Sequence, residues 1–228
     1  MDPQIKSKQR IADYGEVLTP PHIVSAMLDL VKPETERIDS RFLEPACGTG
    51  NFLTEILERK LRVVEKRYGK SQLEYERYAV LAVSSLYGID ILADNVEECR
   101  QRLFEAFDAA YTRLFGEKAK AQCREAVHFI LRRNIIHGDA LSLQTVTDPP
   151  QPIVFSEWSL VNGSLLKRRD FAFQELLRST EETGPSLFDM KQSFRSDIGE
   201  TVFIPEPVRE YPPVHFLKVA HAYDELQP

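Results

Sequence analysis

The expected fold depends first on the segment Phe42-Leu43-Glu44-Pro45-Ala46-Cys47-Gly48-Thr49-Gly50-Asn51-Phe52-Leu53. Its first residues are predicted to form a short strand, the chain turns at Gly48 and Gly50, and a helix with apolar residues at helical spacing follows. Glycines between a strand and a helix let a ligand approach the backbone, and the free N–H groups of the helix start point toward that ligand. Alone, such a turn would suit an ordinary connection with glycines for tight packing, so the segments around it decide the interpretation.

Length and composition set the broad class of the protein. The 228 residues are 43% hydrophobic and 28% charged, which is typical of a globular chain, and we predict one α/β domain over residues 1–228. The net charge of −6 argues against binding of nucleic acid by bulk charge alone, although a local basic face or a basic partner would be compatible with it.

Cysteine usage and hydropathy indicate where the chain resides. The three cysteines are widely spaced and show no disulfide or metal-site pattern, so we expect a reducing cytoplasm and no bound metal. The first residues lack an apolar signal core, and no apolar run reaches the roughly 20 residues of a membrane span. We therefore expect a cytoplasmic protein without a membrane partner.

Two further predicted strands end at an acidic residue. Residues 86–89 precede Asp90, and residues 134–138 precede Asp139, with helical stretches before and between these strands. Alternating strands and helices predict a mostly parallel sheet with helices on both faces. Ligands bind such sheets at the carboxyl ends of the strands, so Glu44, Gly48, Asp90 and Asp139 should converge on one cleft.

The two ends of the chain give weaker patterns. Thr19 is predicted to cap a helix that begins at Pro20 and ends near Pro33. After a Pro-rich loop, a fourth strand is predicted from Ile153 to about Trp158, followed by an Asn162-Gly163 turn and a helix over 171–177. Residues 167–169 are a basic cluster, either a solvated run or a phosphate contact. Residues 178–213 are expected to form an irregular arm before a last helix at 215–226.

The polar residues at the strand ends suit a nucleoside. A carboxylate at Asp90 can accept from two ribose hydroxyls at once, and Asp139 suits the amino group of adenine. The glycine turn lacks the third glycine of a dinucleotide fingerprint, because Leu53 stands there, and it lacks the lysine of a phosphate loop. A nucleoside with a small zwitterionic tail therefore fits better than a dinucleotide.

These segments resemble the motifs of the N6-adenine DNA methyltransferases of restriction–modification systems. Residues 42–53 look like the S-adenosylmethionine motif, Tyr14–Pro20 like the N-terminal motif whose Thr-Pro turn covers the methionine end, Tyr87–Ile91 like the ribose motif, and His137–Leu141 like the adenine motif. The resemblance covers about residues 11–141. It implies a class I methyltransferase-like Rossmann fold, truncated at its C-terminal strands. The cofactor-binding residues that it implies are Tyr14, Thr19, Pro20, Glu44, Pro45, Ala46, Gly48, Gly50, Asn51, Phe52, Asp90, Ile91, Asp139 and Ala140.

The resemblance also implies adenine-N6 methylation of DNA in a restriction–modification or phage-defence system, with DNA bound through a separate specificity subunit. The family's catalytic motif, Asn or Asp followed by Pro-Pro-aromatic, comes after the fourth strand. Here Asp148-Pro149-Pro150-Gln151 precedes that strand, and Gln151 cannot stack on a base as an aromatic residue does. The catalytic candidates are therefore Asp148, Pro149 and Pro150 as a displaced acceptor, with Trp158 as a stacking surface or a core residue.

Two alternatives to a methyltransferase remain open. One is a non-catalytic relative, either a cofactor-binding subunit or a decayed methylase, which the altered catalytic motif favours. The other is a nucleotide-dependent Rossmann enzyme, against which the missing third glycine argues.

Overall fold

The computed structural model describes residues 6–181, 193–195, 201–203 and 205–223. Its α-helices are α1 (Lys8–Tyr14), α2 (Pro21–Asp29), α3 (Lys32–Thr35), α4 (Asn51–Tyr68), α5 (Gln72–Ser84), α6 (Ala93–Phe115), α7 (Ala121–Asn134) and α8 (Phe173–Glu181). Its strands are β1 (Phe42–Glu44), β2 (Leu86–Asp90), β3 (Ile135–Asp139), β4 (Gln144–Thr145), β5 (Val154–Val161), β6 (Leu165–Ala172), β7 (Ser193–Arg195), β8 (Thr201–Phe203), β9 (Arg209–Glu210) and β10 (Val214–His215).

The central sheet has the order β1-β2-β3-β4. Strand β2 pairs in parallel with β1 on one side and with β3 on the other, whereas β4 is antiparallel to β3. Helices α4 and α5 connect β1 to β2, and α6 and α7 connect β2 to β3, so each parallel pair is joined by a helical crossover. The expected α/β class with a mostly parallel sheet is confirmed.

Helices α4–α7 pack on one face of this sheet. Leu86 and Ile135 from the sheet share one buried cluster with the apolar stripes of the four helices. Typical helix members are Leu53, Leu57, Val80, Val83, Leu103, Phe107, Val127 and Ile130. Full burial of such a side chain contributes about 1.5–3 kcal/mol, so this face supplies most of the packing that orders the strand ends.

The opposite face is covered differently from the expected second helical layer. Side chains alternate along β2, so Tyr87 and Ile89 point away from Leu86. They pack with Ile153, with Phe155 on β5 and with Phe173 at the start of α8. An antiparallel hairpin together with one helix start therefore covers this face.

The predicted fourth strand forms, but it does not join the parallel sheet. Strand β5 pairs antiparallel with β6 along their full length, and the turn between them contains Asn162 at φ 44° and Gly163 at φ 76°. Two consecutive positive φ values are the signature of a tight hairpin turn, which returns the chain at once beside β5. The strand predicted from Ile153 to about Trp158 is therefore observed as Val154–Val161, in an antiparallel hairpin.

The basic cluster at 167–169 belongs to this hairpin. Arg168 is only 2% exposed, forms a 2.6 Å ion pair with Asp170, and lies 4.2 Å from the ring of Tyr211. Lys167 pairs with Glu210 at 3.0 Å, and Arg169 pairs with Glu157 at 2.5 Å. The three cations thus pair with acids of the antiparallel sheet formed by β5, β6, β9 and β10. The helix expected from residue 171 begins at Phe173 instead.

Other boundaries also differ from the expectations. Pro20 is the N-cap of α2 and Pro21 is its first residue, so Thr19 does not cap it, and α3 follows α2 as a separate short helix. In place of a last helix from His215, the chain forms β10 and a 3-10 turn at Phe216–Lys218. Residues 219–223 form turns, so the predicted last helix is absent from the described residues; residues 224–226, and much of the predicted irregular arm, lie outside them. Within residues 6–181 and the shorter segments after them, no helix is both long and apolar enough to cross a bilayer.

Candidate functional site

A cleft of about 610 Å³ opens at the carboxyl ends of β1, β2 and β3. Residues from four segments that are distant in sequence line it; they lie within 15–19, 44–52, 90–95 and 138–141. Its predicted members are Thr19, Glu44, Pro45, Ala46, Gly48, Asn51, Phe52, Asp90, Ile91, Asp139 and Ala140. The convergence expected from the strand-end positions is therefore present in the fold.

The glycine turn holds its shape through backbone hydrogen bonds. The N–H of Cys47 donates to the carbonyl of Ile89 at 2.9 Å, and the N–H of Gly50 donates to the carbonyl of Cys47 at 2.8 Å. Gly48 lies at φ 51°, where residues with a Cβ are strained. A Cβ at Gly48 would meet only the Leu18 side chain, at 3.4 Å, so the backbone conformation is what requires this glycine.

Gly50 has a different role from the ligand approach expected for it. It lies at φ 85°, and a Cβ there would stand 2.6 Å from the Sγ of Cys99 on α6. Gly50 is not part of the cleft lining. The absence of a side chain at this position allows α6 to pack closely against the start of α4.

The carboxylate of Asp90 holds the turn through hydrogen bonds, which leave few of its acceptor positions free. One carboxylate oxygen accepts from the N–H of Gly48 at 2.8 Å, and the other accepts from the N–H of Leu92 at 2.9 Å and from the side-chain amide of Asn95 at 3.3 Å. A carboxylate offers about four acceptor positions, so about one remains. Asp90 therefore has room for one more donor, not for the pair of hydroxyls expected from the sequence.

The pKa values of the two other acids at strand ends, Glu44 and Asp139, are shifted in opposite directions. Burial raises the pKa of Glu44, with a long 3.4 Å hydrogen bond from the N–H of Ala46 as a smaller opposing effect. The N–H of Leu141 donates to Asp139 at 2.9 Å and lowers the pKa of that carboxyl. Asp139 is thus a firmly ionised acceptor at neutral pH, whereas Glu44 holds its charge against a desolvation cost.

The charged side chains that line the cleft are all acidic. The lining contains four carboxylates and, among the residues that the structure describes, no lysine, arginine or histidine. The four acids are Glu16, Glu44, Asp90 and Asp139. Such a lining stabilises cations and hydrogen-bond donors and repels phosphate groups.

The N-terminal segment forms one wall of the cleft because ion pairs attach it to α6. Arg10 contacts Asp94 at 2.6 Å and Glu16 at 2.7 Å, and the amide of Asn95 donates to Glu16 at 2.6 Å. Asn51 at the start of α4 donates to the carbonyl of Thr19 at 2.8 Å, which fixes the end of the wall.

Two predicted cofactor residues flank the wall segment 15–19 along the chain. Tyr14 is the last residue of α1 and directly precedes the lining residue Gly15. Pro20 follows the lining residue Thr19 as the N-cap of α2.

The catalytic candidates lie elsewhere. Residues 148–150 are exposed, and none of them lines the cleft. The carbonyl of Pro149 already accepts from the hydroxyl of Thr147 at 3.0 Å. Trp158 is 4% exposed, and its indole N–H donates to the side chain of Asn134 at 3.2 Å. The fold therefore makes Trp158 a core residue and removes it as a stacking surface for a base.

Several lining residues were not among the sequence candidates. Asn95 is the most informative, because it hydrogen-bonds both Asp90 and Glu16 and so joins two walls. Its position five residues after Asp90, in the first turn of a helix, was the available signal. Cys47 also lines the cleft, but the neighbouring Cys99 and burial raise its pKa, so it is not a ready nucleophile.

The described residues contain no group of three or more His, Cys, Asp or Glu side chains arranged to hold a metal ion. No protein-family model matches the chain, and no curated protein or solved structure matches it. The geometry of the cleft and the motifs that form it therefore carry the functional argument.

Proposed function

We propose that this chain binds S-adenosylmethionine in the cleft and belongs to a methyltransferase that modifies the N6 amino group of adenine in DNA. The observation that carries the proposal is the charge of the lining: four carboxylates, without a cationic side chain among the described residues, at the carboxyl ends of parallel strands. The ligand complements that lining, because it carries a sulfonium, an ammonium, an adenine amino group and ribose hydroxyls.

Individual residues fit parts of this ligand. Asp139 is an ionised acceptor suited to the adenine amino group, and Asp90 has room for one ribose hydroxyl. Ile91 and Phe52 offer apolar surface for the purine. Glu44 supplies negative charge beside the glycine turn, where a cationic centre would offset its desolvation.

The chemistry divides simply between ligand and protein. The bound cofactor would supply a methyl group already activated by the sulfonium. The chain's residues would bind and orient the cofactor and exclude water. Alignment of the methyl group with its acceptor is then the main contribution of the protein to the rate. The target base must leave the duplex to reach such a cleft, and we propose that a separate specificity subunit binds the DNA.

A second candidate function is a cofactor-binding subunit that does not catalyse transfer alone. The positions of residues 148–150 outside the cleft and of Trp158 in the core favour it. A dinucleotide-dependent enzyme is disfavoured, since the carboxylates of the lining would repel a pyrophosphate.

Calorimetric titration of the purified chain with S-adenosylmethionine, S-adenosylhomocysteine and NAD tests the class of ligand. We expect S-adenosylmethionine to bind and NAD not to bind; the reverse result would refute the proposal. Transfer of tritiated methyl groups to mixed-sequence DNA without an added partner then tests the second candidate, because labelled adenine would show that the chain catalyses the transfer alone.

A further inference from the structure

A second concave region lies beside β1, next to the cleft but separate from it. It is a groove of about 440 Å³ between β1 and the β5–β6 hairpin. Its apolar lining is Phe42, Leu43, Tyr87, Phe155, Phe171, Leu176 and Pro205. Residue 43 lines the groove and residue 44 lines the cleft, so the two regions meet at the carboxyl end of β1.

Within the part of the chain that the structure describes, no strand pairs with the edge of β1 that faces away from β2. Among the described residues β1 pairs only with β2, and the N–H of Phe42 donates to the carbonyl of Ser85 on that side at 3.0 Å. Backbone groups alternate in direction along a strand, so the N–H and C=O of Leu43 point outward. The Leu43 side chain is 41% exposed. An exposed apolar edge of this kind is a template for pairing with another strand.

The groove also has an excess of positive charge. Arg41 and Arg169 both contact the single carboxylate of Glu157. Two guanidinium groups that share one carboxylate leave this wall with one positive charge in excess, and the side chains of Arg41 and Arg169 are 58% and 35% exposed. The wall is therefore complementary to an incoming carboxylate.

We propose that the groove receives an extended segment of a separate protein, which adds a strand to the edge of β1 that faces away from β2. The segment has apolar side chains at alternate positions, which enter the groove, and an acidic residue at its amino end, which meets Arg41 and Arg169. It pairs with the outward backbone groups of Leu43 and runs parallel to β1. The parallel direction rests on the proposed function, because it delivers the residues that follow the segment to the cleft at Glu44.

Synthetic peptides test the direction and the charge. The probe is a fluorescein-labelled peptide of alternating valine and threonine with aspartate at its amino end, and the comparators carry aspartate at the carboxyl end or lysine at the amino end. Because Arg41 precedes β1, a parallel strand places an amino-terminal acid beside it. We expect the probe to bind at least about fivefold more tightly than either comparator in fluorescence anisotropy, as one charge-assisted contact provides.

Variants test the location. Leu43→Lys should weaken binding of the probe by about tenfold or more, because an edge lysine blocks strand addition. Leu30→Lys is the matched control, since Leu30 is 84% exposed and does not line the groove. Circular dichroism and thermal melting of both variants verify that the fold is retained.

Three results would overturn the proposal: no binding of the probe, equal binding of the two aspartate peptides, or equal losses in the two variants. Sedimentation adds a fourth, because a wild-type dimer that Leu43→Lys makes monomeric would assign the edge to a second copy of this chain. The peptide assay contains no S-adenosylmethionine. Failure of the cofactor titration with successful peptide binding therefore refutes the proposed function alone, and the converse refutes the docking alone.

Discussion

The backbone N–H of Gly48 donates a 2.8 Å hydrogen bond to the carboxylate of Asp90. This contact joins the glycine turn after β1 to the end of β2, two positions 42 residues apart. Asp90 therefore shapes the floor of the cleft in addition to any contact with a ligand. Its removal should change both the binding site and the stability of the turn.

The first prediction separates those two roles. Asp90→Asn should weaken binding of S-adenosylmethionine by about 1–3 kcal/mol, because an amide cannot accept from Gly48, Leu92 and a ribose hydroxyl as the carboxylate does. Calorimetry measures the affinity, and urea unfolding measures the loss of stability that the broken turn should cause.

Asp139→Asn is the matched control for this change. Asp139 is also an acid of the cleft lining. It accepts a hydrogen bond from the backbone N–H of Leu141, only two residues away, so this contact does not join distant parts of the chain. We expect weaker binding with little change in the free energy of unfolding. Unchanged affinity in both variants would show that the ligand does not occupy this cleft.

The second prediction concerns Gly50. Gly50→Ala and Gly163→Ala introduce a Cβ at similar positive φ values, 85° and 76°. Only the first meets an obstacle, the Sγ of Cys99 at 2.6 Å; at Gly163 nothing lies within 4 Å. Gly50→Ala should therefore be the more destabilising by about 1–3 kcal/mol in urea unfolding, the cost of overpacking. Equal losses of stability in the two variants would mean that α6 moves away from the new Cβ without a cost in free energy.

The parallel core of the fold was predictable because its signals are local. Helical periodicity, glycines after β1 and an acid at the end of β2 and of β3 are read within short windows, and parallel pairing then brings the strand ends together. The role of Gly50 could not be read in that way. It depends on how closely α6 approaches α4, which involves residues 49 positions away in sequence.

The hairpin of β5 and β6 is a second feature that could not be predicted from local sequence patterns. The apolar run at 153–155 suits a buried parallel strand as well as a hairpin strand. The Asn162-Gly163 turn was recognised in the sequence, but its meaning depends on which strands it joins. A run of three basic residues is ordinarily solvated, so the burial of Arg168 follows only from its pairing with Asp170 on the same strand and its packing on Tyr211.

The third prediction tests the position of Trp158. Trp158→Phe should lower the free energy of unfolding by about 1–3 kcal/mol, because it leaves the buried side chain of Asn134 without its indole donor. The affinity for S-adenosylmethionine should not change, since Trp158 lies outside the lining. A variant with normal stability and reduced methyl transfer would restore Trp158 as a catalytic residue.

The fourth prediction concerns the N-terminal wall. Arg10→Ala removes the contacts to both Asp94 and Glu16 and leaves the hydrogen bond from Asn95 to Glu16, so the attachment of residues 15–19 to α6 should weaken. We expect affinity for S-adenosylmethionine to fall several-fold and amide exchange of this segment to accelerate. Arg113→Ala is the control, because it breaks a comparable surface ion pair, with Glu65, away from the cleft. Similar affinities in the two variants would show that the wall does not contact the ligand.

The last prediction is a pH dependence that originates in one buried side chain. Lys60 on α4 is fully buried, and its ammonium donates to the carbonyl of Ser40 and the hydroxyl of Ser85. Desolvation lowers its pKa to about 7, against about 10.4 for an unfolded lysine. Between these values the unfolded chain holds a proton that the folded chain has released, so stability from this group rises with pH, by at most about 1.4 kcal/mol per pH unit. Urea unfolding of wild type and Lys60→Met at pH 7, 8 and 9 isolates this contribution, with Lys70→Met as the control for loss of an exposed lysine. We expect the difference between wild type and Lys60→Met to move in favour of wild type as pH rises, whereas a constant difference would show that Lys60 stays protonated inside the fold.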